Sequence, residues 1–420
     1  MLIENEISIN DFVSAISEAI ELVSPILNNH HKRTAYISYS IAQKMGIPND
    51  TIKDIVLAAM LHDIGIASLK ELLKVISLEA QDTYLNQHAQ RGYELLKGFT
   101  PLAKAAELIK YHHEEYQKSK THIPMGSYII HLADRVAIAY DEQREVLGQI
   151  PEVLAKIQQN REVFHPDVFT ALNRLAKKEY FVLESFYPSF SRGMLKKMRF
   201  PQEVITLEAL KDFAKIIAQV IDFRSRFTAT HSSGVAAVAL ELSMISEFSE
   251  RECKQMEIAG FLHDLGKLAV PNGILEKNGA LDETEISFIR KHPYHTYNIL
   301  SKIQGLEHIA AWAAYHHERQ DGNGYPFHVK GRDFPRLARI MTVADILTAL
   351  TEDRPYRLGM SEEMVLDVLA DMAESGGIDK NIVELAKKNF SRINEKRIKA
   401  QKEARKEYDN FHHPDTPVIP

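Results

Sequence analysis

The chain has 420 residues, of which 45% are hydrophobic and 26% are charged. This composition is typical of a globular protein with a full core, and it excludes a mainly disordered chain. The 51 Lys and Arg residues against 57 Asp and Glu residues give a net charge of −6, which argues against a broad basic face that binds long nucleic acid.

Cys253 is the one cysteine of the sequence, so neither an internal disulfide nor a cysteine-based zinc site can form. This usage suits a reducing compartment, and we expect the cytoplasm. The sequence has no apolar run of about 18 residues that could span a membrane. Its start also lacks the basic and apolar regions of a signal peptide, so no membrane partner is expected.

Helical periodicity is visible from the first predicted element onward. Leu, Ile, Ala and Val recur at three- and four-residue spacing in the segments 11–27, 55–65 and 213–223, which is the pattern of amphipathic helices. Long alternation of β-branched residues is absent. The expected fold class is therefore all-α.

The stretch 185–204 carries prolines, serines, a glycine and a basic run, which is typical of a domain boundary, expected near 190–205. We expect an N-terminal domain at 1–195 and a second domain at 200–400. Residues 401–420 are predicted to hold the end of a charged terminal helix and a frayed tail.

The chain contains an internal duplication. The pair His62–Asp63 recurs 201 residues later as His263–Asp264, and His30 recurs as His231 at the same distance. Later landmarks keep the same order with shifts that grow to 204, 211 and 214 residues, as expected if the second copy gained loop residues. The sequence thus predicts two related helical bundles in tandem.

Each copy supplies histidines and aspartates from separate helical segments, which a bundle can turn toward one interior site. Imidazole with carboxylate and no thiolate suits Fe, Mn, Zn or Ni. Seven ligands exceed the need of one ion, so we expect a metal pair bridged by an aspartate such as Asp264, which can activate water and hold a phosphate. Histidines that only satisfy backbone groups in a core are the alternative. The predicted ligands of the second copy are His231, His263, Asp264, His292, His316, His317 and Asp345.

On these residues the second copy resembles the HD-GYP domains, a branch of the HD phosphohydrolase superfamily. The resemblance covers about 206–390 and includes HDLGK at 263–267, HHERQDGNGYP at 316–326 and DRPYR at 353–357. It implies hydrolysis of cyclic dinucleotides, chiefly cyclic di-GMP, with two or three Fe or Mn ions. Some members of the family act on the mixed 3′,3′-cyclic GMP-AMP.

Two positions depart from the family's pattern. Phe227 stands where some members have a glutamate that holds a third metal, so we expect two metal ions. Thr296 stands where the HPxxG motif has glycine, a difference expected to affect loop detail more than activity.

Asp264 and Lys267 are the predicted catalytic residues. Lys267 follows Asp264 by three residues, so its ammonium is expected to face the same cavity and to hold a phosphate oxygen. Asp321 and Tyr325 lie in a loop whose two glycines allow it to fold over a ligand, and both are predicted to bind substrate. A surface lysine and an ordinary tight turn are the alternatives.

The resemblance also implies that Arg354 and Arg357 bind the second phosphate or a guanine of the substrate. The planar guanidinium suits this role. A structural salt bridge with Glu352 or Asp353 is the alternative.

The first copy keeps metal-ligand residue types but has lost the other elements. Ile66 stands where Lys267 stands, and the DGxGYP loop and the arginine pair are missing. It therefore resembles a degenerate HD domain that holds a metal pair and hydrolyses cyclic dinucleotides poorly. A redox or oxygen sensor, a nucleotide-binding domain, a dimer surface and a second hydrolase stay open as its role. The candidate ligands are His30, His62, Asp63, His88, His112, His113 and Asp134.

The leading interpretation is a metal-dependent phosphodiesterase that opens cyclic di-GMP to pGpG and can continue to GMP. Fe or Mn is expected in the metal pair, with Ni or Zn as alternatives. Selectivity for 3′,3′-cyclic GMP-AMP, or nucleotide binding without turnover, are the competing interpretations, and the sequence leaves a homodimer open.

Overall fold

The structure of the chain is a computed structural model. Its described residues divide into two compact units, one from Ser8 to Glu203 and the other formed by Ile7 and the residues from Val204 onward. The domain limits given above stay predictions. The described residues are 7–24, 27–66, 68–75, 82–118, 122–141, 143–187, 198, 200, 203–224, 229–277, 279–353 and 358–412.

The first unit is built from helices. Short 3-10 helices lie at Thr100–Leu102, Leu147–Gln149 and Arg161–Val163. Its α-helices are α1 (Ile9–Glu21), α2 (His30–Lys44), α3 (Asn49–Leu61), α4 (Leu69–Val75), α5 (Asp82–Leu96), α6 (Ala103–Lys110), α7 (Met125–Ala139), α8 (Ile150–Gln159), α9 (Pro166–Leu175) and α10 (Glu179–Phe186).

The second unit is helical as well, with 3-10 helices at Leu265–Ala269, Tyr315–His317 and Gly331–Asp333. Its α-helices are α11 (Leu207–Asp222), α12 (His231–Ile245), α13 (Glu250–Leu262), α14 (Asn272–Leu275), α15 (Glu283–Arg290), α16 (His292–Leu300), α17 (Glu307–Ala314), α18 (Arg336–Thr351), α19 (Glu362–Glu374), α20 (Lys380–Lys388) and α21 (Phe390–His412).

Extended structure in the described residues is limited to two strands of two residues each. β1 (Ile7–Ser8) pairs with β2 (Val204–Ile205). The predicted all-α class is confirmed. The charged C-terminal segment is helical as far as His412, and the residues after it lie outside the described part.

The duplicated pattern of apolar residues explains why both units begin with a similar buried helix. In α11, Phe213, Ile217 and Ile221 are buried at four-residue spacing, which places them on one face. In α1, Phe12 and Ile16 are buried at positions 201 residues earlier. Each helix therefore uses the same face for its own core.

The segment that carries His263–Asp264 is positioned by packing and by a helix cap. At the start of α13, Ser249 Oγ accepts from the Glu252 amide at 3.3 Å, and the Glu252 carboxylate accepts from the Ser249 amide at 3.0 Å. This reciprocal capping box fixes where α13 begins. Since α13 packs against α11 and α12, its C-terminal end is held at the centre of the second unit.

A close backbone contact in each unit brings two ligand segments together. A Cβ atom at Gly266 would lie 1.9 Å from the backbone oxygen of His292, and one at Gly65 would lie 2.1 Å from the backbone oxygen of His88. Real side chains cannot approach so closely, so only glycine allows this contact. The two glycines are 201 residues apart, and both copies therefore dock the middle histidine in the same way.

Among the described residues, no helix has the length and apolar character needed to cross a membrane.

Candidate metal centres

Helix ends position three ligand histidines of the second unit. His263 follows the end of α13, His292 comes two residues after the end of α15, and His316 comes two residues after the end of α17. In each histidine, Nδ1 lies 2.7 Å from the backbone oxygen three residues earlier. A carbonyl oxygen only accepts, so Nδ1 carries the proton and donates. The lone pair of Nε2 is then left for a metal ion.

These Nε2 atoms converge on the carboxylate of Asp264. Its Oδ2 lies 3.2 Å from His263 Nε2, and its Oδ1 lies 3.3 Å from His292 Nε2. The ligand atoms form two groups whose members lie within 4.8 Å of one another, one made of His231, His263 and Asp264 and the other of His292, His316 and His317. Asp264 thus faces both groups, which is the position of a ligand that bridges two ions.

Asp345 joins the cluster through two histidines. Its Oδ1 lies 3.2 Å from His231 Nε2, and its Oδ2 lies 3.9 Å from His317 Nδ1. The structure therefore brings all seven predicted ligands of the second copy together. It also adds Glu352, whose Oε2 lies 3.0 Å from His231 Nδ1 and orients that ring. The spacing of seven residues from Asp345, two helical turns, is the signal that could have found it.

The charges in the cluster favour metal binding. Burial opposes ionisation of Asp264, yet the charges of His263 and Lys267 hold the pKa of its carboxyl well below the usual range. Burial, together with the neighbouring His292, lowers the pKa of His317 to about 3. At neutral pH the aspartate is ionised and the imidazole is neutral, which are the forms that bind metals.

The cluster opens to solvent on the side of His317 and Lys267, whose side chains are 29% and 21% exposed. Lys267 lies in the 3-10 helix Leu265–Ala269, where residues three apart eclipse one another. Its Nζ lies 2.5 Å from Asp264 Oδ2. The structure thus places Lys267 at the open edge of the cluster.

The glycine-rich loop also lies at this edge. The Tyr325 ring lies 4.9 Å from the His317 ring, and the guanidinium of Arg290 lies 4.7 Å from the centre of the Tyr325 ring. A cavity of about 390 Å³ beside them is lined by Arg290, Asn323 and Tyr325 together with apolar residues of α15. Arg290 was not among the predicted site residues.

A buried carboxylate holds the loop in place. Glu318 is fully buried and accepts hydrogen bonds from the backbone amides of Phe327, His328 and Val329 at 2.6, 3.2 and 3.2 Å. Three amides on one carboxylate form charge-assisted hydrogen bonds. Glu318 therefore fixes the loop that carries Tyr325.

Asp321, predicted to bind substrate, makes contacts within the loop. Its Oδ2 accepts from the Arg319 guanidinium at 2.8 Å, and its Oδ1 accepts from the Asn323 amide at 2.8 Å. Its role in substrate binding stays a prediction. Arg354, Arg357 and Phe227 lie outside the described residues.

Thr296 has a larger structural role than the sequence indicated. Its buried Oγ1 accepts from the Gly266 amide and donates to the His263 backbone oxygen, both at 2.9 Å. It thus ties α16 to the His263–Asp264 segment. At the corresponding position 204 residues earlier, the first copy has Gly92.

The Thr296→Val variant is expected to unfold at lower urea concentration, with a loss of about 1–3 kcal/mol, because the Gly266 amide would stay buried without a partner. Thr348→Val is the matched control. Thr348 is buried too, but its hydroxyl donates only to the Ala344 backbone oxygen one turn earlier in α18. Equal losses in the two variants would contradict the tie between the segments.

The first unit contains a second cluster of similar geometry. Asp63 Oδ2 lies 3.4 Å from His62 Nε2, and Asp63 Oδ1 lies 3.5 Å from His88 Nε2. The Nδ1 atoms of His62 and His112 again lie 2.8 and 2.6 Å from the backbone oxygen three residues earlier. All seven predicted residues are brought together. One group consists of His30, His62 and Asp134, and a second of His88, His112 and His113. A third consists of His62, Asp63 and His31, which was not predicted.

The first cluster differs from the second in its surroundings. All seven of its predicted ligands are buried. The Arg135 guanidinium donates to Asp134 Oδ2 at 2.6 Å and also contacts the Val75 backbone oxygen at 3.4 Å. Arg135 thus neutralises the carboxylate of Asp134, and Ile66 stands at the position that corresponds to Lys267 of the second copy. This site therefore resembles a closed metal site without a cation for a substrate phosphate.

The donor sets of both clusters fit metal ions. Within the described residues, Asp264 Oδ1, His263 Nε2 and Asp63 Oδ1 are buried and have no hydrogen-bond partner. Buried polar atoms are normally satisfied, and coordination of a cation would satisfy these three. Oxygen and imidazole nitrogen suit borderline transition metals.

Comparison with known proteins agrees with this picture. Two family models, both described as HD domain, match residues 28–139 and 213–382. The 3′3′-cGAMP-specific phosphodiesterase 1 of Vibrio cholerae is 29% identical over 402 residues, which cover 92% of this chain and 93% of that protein. A cyclic di-GMP phosphodiesterase of Pseudomonas aeruginosa is 32% identical over 181 residues, 43% of this chain and 40% of that protein.

The fold also has a counterpart among solved structures. The crystal structure of the cyclic GMP-AMP specific phosphodiesterase V-cGAP3 of Vibrio cholerae aligns with a TM-score of 0.64 at 20% identity. The alignment covers 90% of this chain and 97% of that chain. This likeness concerns the fold.

Proposed function

Because the chain carries two HD domains, we propose that it is a metal-dependent phosphodiesterase that hydrolyses a cyclic dinucleotide in its second domain. The observation that supports this most is the seven-ligand cluster of the second unit, which opens to solvent beside Lys267 and Tyr325. The resemblance to HD-GYP domains and the phosphodiesterase names of the relatives agree with it.

Two cyclic dinucleotides are candidate substrates. The sequence resemblance alone favoured cyclic di-GMP, converted to pGpG and further to GMP. The relative matched over 93% of its length is named for 3′3′-cGAMP, whereas the cyclic di-GMP phosphodiesterase is matched over 40%. We therefore place 3′,3′-cyclic GMP-AMP first and cyclic di-GMP second.

The residues of the second unit have separate tasks in this proposal. Bound to the seven ligands, a pair of metal ions, Fe or Mn first and Ni or Zn second, supplies an activated water and neutralises phosphate charge. The Lys267 ammonium holds a non-bridging phosphate oxygen. Tyr325 and the cavity beside Arg290 receive a base, since aromatic rings and guanidinium groups stack on nucleobases. Arg354 and Arg357 are proposed to bind the second phosphate or a guanine.

The test is purification without oxygen, measurement of metal per chain, and product analysis with 3′,3′-cyclic GMP-AMP, cyclic di-GMP and cyclic di-AMP. Linear dinucleotide from at least one substrate, lost on chelation and restored by Fe²⁺ or Mn²⁺, is the expected result. Intact substrates in the presence of a full metal complement would refute the proposal and favour a binding protein.

The first unit is proposed to hold metal without hydrolysing cyclic dinucleotides. The Asp63→Ala variant is expected to contain less metal per chain than the wild type, because Asp63 faces both ligand groups of the first cluster. Its hydrolysis rate is expected to stay that of the wild type. Unchanged metal content would show that this cluster is a polar core, and lost hydrolysis would point to a catalytic first domain.

A further inference from the structure

A cavity of about 450 Å³ lies in the first unit, and none of the proposed catalytic residues lines it. Its volume is in the range of small-molecule sites. It is formed by the segment that follows His112–His113, by the 3-10 helix Arg161–Val163 and by α9. Its lining includes Tyr116, Arg161, Phe169, Arg174 and Lys177.

The lining is positively charged although the whole chain is negative. Among the described residues that line the cavity, Arg161, Arg174 and Lys177 supply three cations, and Glu162 is the one acidic residue. Within the described part of the chain these three cations form no ion pair, whereas Lys118, Arg144 and Lys156 of the same unit do. Unpaired cations in a concave site attract an anion, and arginine pairs well with phosphate through its planar fork.

Aromatic rings form the neighbouring wall. The Tyr116 ring lies 4.7 Å from the His165 ring and 5.7 Å from the Tyr128 ring, so its position is fixed from behind. Tyr116 nevertheless remains 41% exposed. Together with Phe169, it offers a surface on which a nucleobase can stack.

The second copy shows that these features are particular to the first. The Tyr116 amide donates to the Val163 oxygen at 2.9 Å, and the Gln320 amide donates to the Gly377 oxygen at 3.0 Å, so the two backbones correspond. In the second copy, Gln320 and Arg339 donate hydrogen bonds to the Asp379 carboxylate at 3.0 and 3.2 Å. The first copy replaces this polar network by the three rings of Tyr116, Tyr128 and His165.

Two of the three cations are particular to the first copy, whereas Arg174 corresponds to Lys388 of the second. With the shift of 214 residues that relates α9 to α20, Arg161 corresponds to Ser375 and Lys177 to Ser391. Loss of the glycine-rich loop was therefore accompanied by a gain of two cations and three clustered rings at one place.

A chain of ring contacts links the cavity to the candidate metal cluster of the first unit. Phe164, part of its lining, has its ring 5.1 Å from that of His131, and His131 lies 6.0 Å from His113. A ligand in the cavity would thus contact a chain of rings that ends at a proposed metal ligand.

We propose that this cavity is a nucleotide-binding site, in which Tyr116 and Phe169 stack on the base and Arg161, Arg174 and Lys177 bind the phosphate. The site goes beyond the proposed hydrolysis, since it lies in the other unit and needs no turnover.

The test is calorimetric titration of the full chain with GMP and, separately, with inorganic phosphate. The double variant Arg161→Ala/Arg174→Ala is expected to bind both probes at least about tenfold more weakly at this site, because it removes charge-assisted hydrogen bonds to the phosphate. Tyr116→Leu is expected to weaken GMP binding about tenfold through lost stacking and to leave phosphate binding unchanged. The control is Lys178→Ala, which should bind like the wild type. Lys178 is exposed and follows Lys177, but it does not line the cavity.

Some outcomes would overturn the proposal. GMP binding that is unchanged in the double variant would place the nucleotide elsewhere, and no saturation at millimolar GMP would mean that the cavity is not a nucleotide site. If Lys178→Ala weakened GMP and phosphate binding as much as the double variant, the effect would come from the overall positive charge of this surface and not from the cavity. None of these results depends on hydrolysis, so they leave the proposed function to its own test.

Discussion

The Asp264→Ala variant is expected to lose the metal ions of the second unit and to hydrolyse cyclic dinucleotides at least about 10³-fold more slowly. Asp264 is the residue whose two carboxylate oxygens face both ligand groups, at 3.2 Å from His263 and 3.3 Å from His292. Removing it deprives both groups of the anionic ligand that they share. Metal per chain and initial rates on the preferred dinucleotide are the measurements.

The duplication provides a matched control in the same molecule. Asp63 lies 201 residues earlier, is equally buried and faces the two histidine groups of the first cluster. Asp63→Ala therefore makes the same chemical change in the same fold and should leave the rate intact. Full turnover by Asp264→Ala, or equal loss in both variants, would remove the basis for a catalytic second unit.

The Lys267→Met variant is expected to lower kcat by about 10²–10³-fold while the metal content stays that of the wild type. The ammonium lies 2.5 Å from Asp264 at the open edge of the cluster, where a phosphate oxygen would carry its charge. Methionine keeps the length of the side chain and removes only the cation. The metal ligands are left in place, so the loss should be in rate rather than in metal.

Lys277→Met is the control for this experiment. Lys277 belongs to the same unit and forms an ion pair with Glu285 at 2.5 Å, but it is not one of the cluster residues. It should keep wild-type kinetics. If Lys267→Met lost metal in proportion to activity, Lys267 would be a support of Asp264 and not a phosphate-binding group.

The ligand set could be predicted from the sequence because it repeats. A single His–Asp pair carries little information, whereas His62–Asp63 and His263–Asp264 at a constant shift, followed by paired histidines and a later aspartate, fix an order along the chain. Helical periodicity around them was enough for the fold class. The position of Lys267 also followed from its spacing of three residues from Asp264, and the segment that carries it is a 3-10 helix.

The supporting residues were not predicted, because their partners lie outside the repeated ligand pattern. Glu318 holds backbone amides nine to eleven residues later, and Glu352 reaches His231 across 121 residues. Thr296 was read as a departure from a motif, yet it bonds Gly266 and His263. Such roles depend on contacts that only the folded chain creates.

The cavity of the first unit could not be predicted from the sequence for a related reason. Its cations and rings are scattered between positions 116 and 177, and none of them belongs to a recognisable motif. What the sequence did show there was a loss, that of the glycine-rich loop. The structure shows that the corresponding backbone is retained and carries different side chains.

The bond from each ligand histidine to the carbonyl three residues before it explains how the two halves of the chain could diverge so far. The orientation of His62, His112, His263, His292 and His316 is encoded by the helix end next to each of them. Mutations in the surrounding loops therefore leave the imidazoles aimed as before. The loops of one copy could therefore change in sequence while the arrangement of its histidines was inherited unchanged.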